Sequence, residues 1–174
     1  YEGRGCAIKD NDGVFFFNFR PDRARMLSHK VAERAEKSNI YFVTMTKYDD
    51  SIVSKVAFSP IDVGSCLGEL ISKSGLTQVR IAESEKYAHA TYFLNAGHEE
   101  PYAGQRNILI QSRKDVATFD QDPEMRASEI AKAAIDEVKK GTHFIFVNFA
   151  NPDVVGHTGN EAATIKAIEA VDRA

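Results

Sequence analysis

Cysteine is scarce in this sequence, and its placement excludes several classes of site. Cys6 and Cys66 stand far apart and lack the spacing of a thiolate metal site or a redox pair. They fit reduced thiols in the core of a cytosolic protein. An excess of basic charge is also absent. The 22 Lys and Arg against 25 Asp and Glu leave a net charge of −3, so no positive field argues for nucleic acid or membrane as a partner. No apolar stretch is long enough to span a bilayer, and no signal peptide is visible. Internal repeats and low-complexity segments are missing too. So is an initiator Met: the chain opens at Tyr1 and stops at Ala174 inside a helical pattern, which reads as a piece of a longer protein. A targeting signal upstream is therefore not excluded. What remains is a globular composition, 43% hydrophobic and 27% charged, far from that of a disordered chain. Its length suits one ordinary domain or two small pieces.

Strands and helices alternate along the chain, which predicts an α/β fold. Val14 to Phe19 reads as a buried strand. A helix follows, with Pro21 at its first turn and Met26, Leu27, Val31 and Ala35 on its apolar face. Ile40 to Met45 is a second strand, so this region is βαβ-like and its strands should be parallel. Lys47 to Ala57 reads as a loop or hairpin. The pattern restarts near Ser59-Pro60. Ser65 would cap a short helix carrying Leu67, Leu70 and Ile71, ended by Gly75. Val79 to Ala82, Ala90 to Leu94 and Asn107 to Ile110 read as strands. Asp122-Pro123-Glu124 opens a helix with Ile130, Ala134, Ile135 and Val138 inward and Gly141 as its stop. The apolar run from Phe144 to Val147 is a last strand, and a final helix turns Ile165, Ile168 and Val171 inward.

Three strings carry chemistry. The first, Asn148 to Gly159, leaves the end of the Phe144 strand as a loop punctuated by Asn-Pro and two glycines. Loops at strand ends are where α/β proteins keep their chemistry. Asp153 and His157 offer an oxygen and a nitrogen donor suited to manganese or zinc. By spacing alone, a helix-cap Asp followed by an ordinary surface His fits at least as well. The second string, Phe17 to Arg25, brings Arg20 and Arg23 to a helix start, where guanidinium groups can grip an anion. Solvated surface arginines paired with Asp22 are an equal alternative. In the third, Arg80 to Thr91, Lys86 stands in a charged segment where a solvent-exposed lysine is the ordinary reading. His89 reads as a structural residue satisfying core hydrogen bonds. His29, His98 and His143 have no partners in sequence.

The string Asn-Phe-Ala-Asn-Pro-Asp-Val-Val-Gly-His-Thr-Gly resembles a signature of the cofactor-independent phosphoglycerate mutases, members of the alkaline-phosphatase-like superfamily. Phe17 to Arg25 resembles the same family, as does the Glu-Ser-Glu-Lys-Tyr-Ala-His-Ala-Thr segment. Gly104 to Ile110 and Val116 to Met125 match as well, with Gln105 where Glu is frequent and Ser84 where Thr is commoner. The matches run in the expected order over nearly the whole chain. The resemblance implies a partial phosphatase-like metal-binding domain over 60–174. It makes 1–59 the end of an inserted α/β phosphotransferase domain. It implies interconversion of 3-phosphoglycerate and 2-phosphoglycerate through a phosphoserine, with two manganese ions per full-length subunit. Asp153 and His157 would bind one manganese, Arg20 and Arg23 the substrate, and Lys86 both substrate and transferring phosphoryl group. Arg25 is the less secure of the arginines, because members vary there. The nucleophilic serine and the remaining ligands have no counterpart in this chain, so the 174-residue piece by itself should be inactive. The parent is expected to be a cytoplasmic monomer whose partner is small-molecule phosphoglycerate. The alternatives are another alkaline-phosphatase-like phosphomutase or hydrolase, or a non-catalytic metal-binding module.

Overall fold

A computed structural model of the chain describes residues 7–61 and 63–174. The chain divides into two compact units, Tyr1–Asp62 and Val63–Ala174. Both are α/β with parallel sheets. Among the described residues no helix is long and apolar enough to cross a membrane.

In the first unit, β1 (Gly13–Phe16), β2 (Tyr41–Thr44) and β3 (Lys55–Val56) form one sheet in that order. Helix α1 (Pro21–Ser38) connects β1 to β2. Pro21 suits the first turn because its missing N–H has no intrahelical partner to lose. The helix ends at Asn39 in the left-handed region, whose N–H reaches the Ala35 carbonyl. The core holds Ala35, Ile40 and Phe42, with Val14, Phe16 and Val31 against it. The strand expected over 14–19 stops at Phe16, and Phe17 and Phe19 stand exposed. Met26 and Leu27 are exposed too, because Ala24, Ser28 and Ala35 form the buried face of α1. The 47–57 segment is not a hairpin: its β3 runs parallel to β2, pairing Val43 with Lys55.

The second unit places β4 (Gln78–Glu83) between β5 (Gln105–Ile110) and β6 (Phe144–Asn148). All six residues of β4 are buried, which only a central strand covered on both faces can be. Val79 and Ile81 point to one face, where they meet Ile130 of α3 (Ala127–Lys139). Gln78 and Arg80 point to the other, where α2 (Leu67–Lys73) lies, and the Gln78 amide donates to the Gly68 carbonyl at 2.7 Å. A second cluster joins α4 (Asn151–Gly156) to α5 (Glu161–Arg173) through Val155, Ala163 and Ala167.

Several expectations in this unit need correction. Ala90 to Leu94 is not a strand: His89–Phe93 is a π-helical turn. Both edges of β4 are already paired, so this segment satisfies its backbone locally, as in Asn95 N–H to the Thr91 carbonyl at 2.9 Å. Cys66, not Ser65, precedes α2, and it is half-buried rather than in the core. Cys6 lies outside the described residues. Helix α5 buries Ala163, Ala167 and Ala170, while Ile165 and Ile168 are exposed. Helix α3 likewise buries Ile130 and exposes Ile135 and Val138. The small alanines allow close approach of neighbouring elements, and that selected the face.

Candidate functional site

Strands β4 and β6 are parallel, with Ala82 paired to Asn148. Both therefore leave the sheet at the same edge, and the two strings that follow them are brought together there. After β4 the chain makes a tight turn over Ser84–Lys86. After β6 it enters α4 directly. The stretch expected as a loop is helical because Asn-Pro and Gly serve equally as helix entry and exit signals. Val155 is buried against Met125 and Ala163, which seats the helix. Asn151, also buried, donates through its amide to the carbonyls of Pro123 and Glu124 at 3.0 and 2.7 Å and fixes where α4 begins.

Asp153 falls in the first turn of α4 and His157 just past its end, one helical turn apart on one face. The Lys86 ammonium forms an ion pair with Asp153 Oδ2. Asp153 Oδ1 lies 3.6 Å from His157 Nε2. The three residues thus converge. The Lys86 side chain is 22% exposed, Asp153 53% and His157 80%, so the two donors face solvent while the ammonium is tucked beneath them. Lys86, hydrogen-bonded to it, holds the Asp153 carboxyl below the usual carboxylate range, against the opposing effect of burial. His157 and His89 add to this effect. His89 is exposed and tilted against Phe93 at 5.2 Å, so the structural role expected for it in the core is corrected. Its place beside Asp153 has no sequence signal, since it depends on the turn at His89–Phe93.

The donor set fits part of a divalent-metal site. An ionised carboxylate and an imidazole are ligands for borderline cations. Two ligand atoms each ~2.1 Å from a shared tetrahedral ion are separated by roughly 3.4 Å, close to the 3.6 Å found. The carboxylate already holds a cation, the Lys86 ammonium. Among the described residues no third His, Cys, Asp or Glu completes the group.

At the end of β4, Glu83 is fully buried. Its Oε2 accepts from the Arg126 backbone N–H at 3.3 Å, and its Oε1 has no partner among the described residues. Burial pushes its carboxyl above the usual range, opposed by Ser112 and Arg126. Sequence reasoning passed over Glu83, because a charged residue at a strand end reads as surface.

In the first unit, Arg20 occupies the cap position of α1 and Arg23 its first turn, and both are exposed. Arg20 lies 3.7 Å from Asp22. Arg25 differs: its Nε donates to the Tyr48 carbonyl at 2.9 Å and serves the fold. Arg20 and Arg23 are the guanidinium groups at this helix start that solvent, or an anion, can reach.

Curated relatives resemble the chain over nearly all of its length. A 2,3-bisphosphoglycerate-independent phosphoglycerate mutase of Listeria monocytogenes is 50% identical over 96% of this chain and 34% of its own length. One from Cyanothece is 50% identical over 96% of this chain and 33% of its own. The chain therefore spans about a third of the relatives it matches. Among solved structures, a phosphoglycerate mutase of Leishmania mexicana, studied at low cobalt concentration, superposes with a TM-score of 0.77 at 29% identity. That superposition covers 95% of this chain and 32% of the other. Residues 16–174 match the family described as the metalloenzyme superfamily, and the chain belongs to it.

Proposed function

We propose that this chain is a segment of a 2,3-bisphosphoglycerate-independent phosphoglycerate mutase. The whole protein interconverts 3-phosphoglycerate and 2-phosphoglycerate, a glycolytic reaction in the cytoplasm, through a phosphoserine formed on sequence outside these 174 residues. The observation that carries this reading is 50% identity over 96% of the chain to relatives bearing that name. Residues 60–174 act as part of a phosphatase-like domain, and residues 1–59 as the end of an inserted phosphotransferase domain. Asp153 and His157 hold one manganese ion, with further ligands from elsewhere in the protein. When bound, the metal ions activate an oxygen nucleophile and neutralise phosphoryl charge. Lys86, whose ammonium pairs with Asp153, would stabilise charge on the transferring oxygens. Arg20 and Arg23 hold the substrate anion between the two transfers. The parent works as a monomer.

The test is a mutase assay on the full-length protein, stripped of metal and then restored with manganese. Turnover should vanish on stripping, return with manganese, and need no added 2,3-bisphosphoglycerate. Activity that survives complete stripping, or that requires the bisphosphate, would overturn the reading.

A further inference from the structure

Lys86 and Asp153 meet across two separate chain segments, and their contact is partly open to solvent. An ion pair that water reaches contributes little, so it does not by itself fix the two segments in place. Buried hydrogen bonds are stronger holds, and here they come from a third segment.

That segment is the turn Pro123 to Arg126, which leads into α3. Asn151, which opens the helix carrying Asp153, donates to the turn's carbonyls at Pro123 and Glu124. Glu83, which ends β4 and precedes the turn carrying Lys86, accepts from the Arg126 backbone N–H. Both side chains are fully buried. The start of α3 has no side-chain cap of its own, and a carboxylate at a helix N-terminus is favoured there. Between the two holds stands Met125, whose φ of +45° lies in the left-handed region. A residue other than glycine keeps that conformation only where its surroundings enforce it. Met125 is buried in the cluster of Ala150, Val155 and Ala163, so the same turn is also packed against α4. On the β4 side a further hold exists, because Ser84 Oγ accepts from the Ser112 N–H at 2.9 Å.

We infer that Glu83 is a positioning residue of the candidate site: with Asn151 it clamps the Pro123–Arg126 turn from two sides, and that clamp sets the Lys86 ammonium against the Asp153 carboxylate. The clamp stands on the geometry alone, and its consequence for turnover rests on the mutase reading. Glu83 needs only an acceptor oxygen at this place. Gln supplies one. Leu fills the space beside Val79 and Ile81, which share its face of β4, but accepts nothing.

Acetic anhydride footprinting of the metal-free full-length protein tests the clamp. Mass spectrometry reads the acetylation rate of Lys86 against that of the exposed Lys166 of α5. Asp153→Asn, which removes the charged partner, gives the rate of the released ammonium. Glu83→Leu and Asn151→Ala should each bring Lys86 toward that rate, and Glu83→Gln should keep the wild-type rate. In the mutase assay kcat/KM should fall roughly 10- to 100-fold for Glu83→Leu, as misplaced groups cost, and recover in Glu83→Gln. A wild-type Lys86 rate or a wild-type kcat/KM in Glu83→Leu, or a Glu83→Gln protein that behaves like Glu83→Leu, would overturn the inference. If Glu83→Leu fails to fold, Asn151→Ala decides, and a wild-type Lys86 rate there overturns it equally. Wild-type protein without mutase turnover would overturn the mutase reading instead, and the Lys86 rates would still decide the clamp.

Discussion

Asp153 lies between the Lys86 ammonium on one oxygen and the His157 imidazole beside the other. That arrangement keeps the carboxylate ionised and leaves it half exposed, a suitable state for exchanging an ammonium for a metal ion. Replacing His157 with Ala removes a nitrogen donor without touching the core, since the side chain is 80% exposed. In the full-length protein His157→Ala should cut manganese content and abolish turnover while thermal stability stays within about 0.5 kcal/mol of wild type. Atomic absorption and a mutase assay check this; unchanged metal content and rate would remove His157 from the site. Arg23 is argued the same way. It is exposed and takes no part in the packing of α1. Losing a charge-assisted hydrogen bond to the substrate costs about 1.5–3 kcal/mol, so Arg23→Ala should lower kcat/KM roughly 10- to 100-fold. Arg25→Ala should instead lower stability, because its guanidinium holds the Tyr48 carbonyl. A wild-type kcat/KM for Arg23→Ala would return that residue to the ordinary surface.

Elements in the second unit are locked by polar contacts that pH can address. Glu137 of α3 is fully buried and accepts from Arg106 of β5, from Lys140 Nζ at 2.8 Å and from Thr142 Oγ1 at 2.8 Å. The hydrogen bond from Arg106, with help from Lys140 and Thr142, lowers its carboxyl to about 2. A folded-state value below the unfolded one stabilises the fold above the unfolded value and loses that stabilisation as pH falls toward the folded one. Stability should therefore decline between about pH 4.5 and about pH 2. Glu137→Gln should flatten this dependence, and urea melts over that range are the measurement. Arg106 is 54% exposed and can rehydrate when its partner is lost. The substitution should then cost about 1–3 kcal/mol at neutral pH rather than the larger penalty of a stranded buried charge. A pH slope identical to wild type would count against Glu137. The turn into β5 is a second lock. Gly104 has φ +76°, and a Cβ there would meet the Leu76 carbonyl oxygen at 3.0 Å. Gly104→Ala should destabilise by at least about 1–2 kcal/mol from the left-handed backbone alone. A melting temperature equal to wild type would show that the loop relaxes freely.

At the scale of the whole molecule, two donors and a lysine do not make a phosphoryl-transfer site. Catalytic metal sites hold three or more protein ligands supported by outer contacts. The purified 174-residue chain should show no mutase turnover and only weak manganese binding by calorimetry. Tight stoichiometric binding would mean that the ligand set has been misassigned. The apolar residues Ile135 and Val138 of α3 and Ile165 and Ile168 of α5 stand exposed, and β5 and β6 are edge strands. Such surfaces favour self-association, so light scattering should show it growing with concentration.

The sequence by itself determined the α/β class, the order of most elements, and the strings that hold Arg20, Arg23, Lys86, Asp153 and His157. Those depend on local signals: apolar runs, Pro and Gly positions, and long matched motifs. Which apolar residues turn inward was decided only by tertiary packing. Alternation and periodicity marked Met26, Ile135 and Ile165 as inward, but small alanines and a serine on the other faces allowed closer approach and won. The same holds for His89–Phe93, apolar enough for a strand yet following β4, whose two edges are already paired. The meeting of Lys86 with Asp153, 67 residues apart in the chain, follows from parallel strands that exit one sheet edge. No local pattern encodes a register, so only the folded sheet could bring that ammonium to that carboxylate.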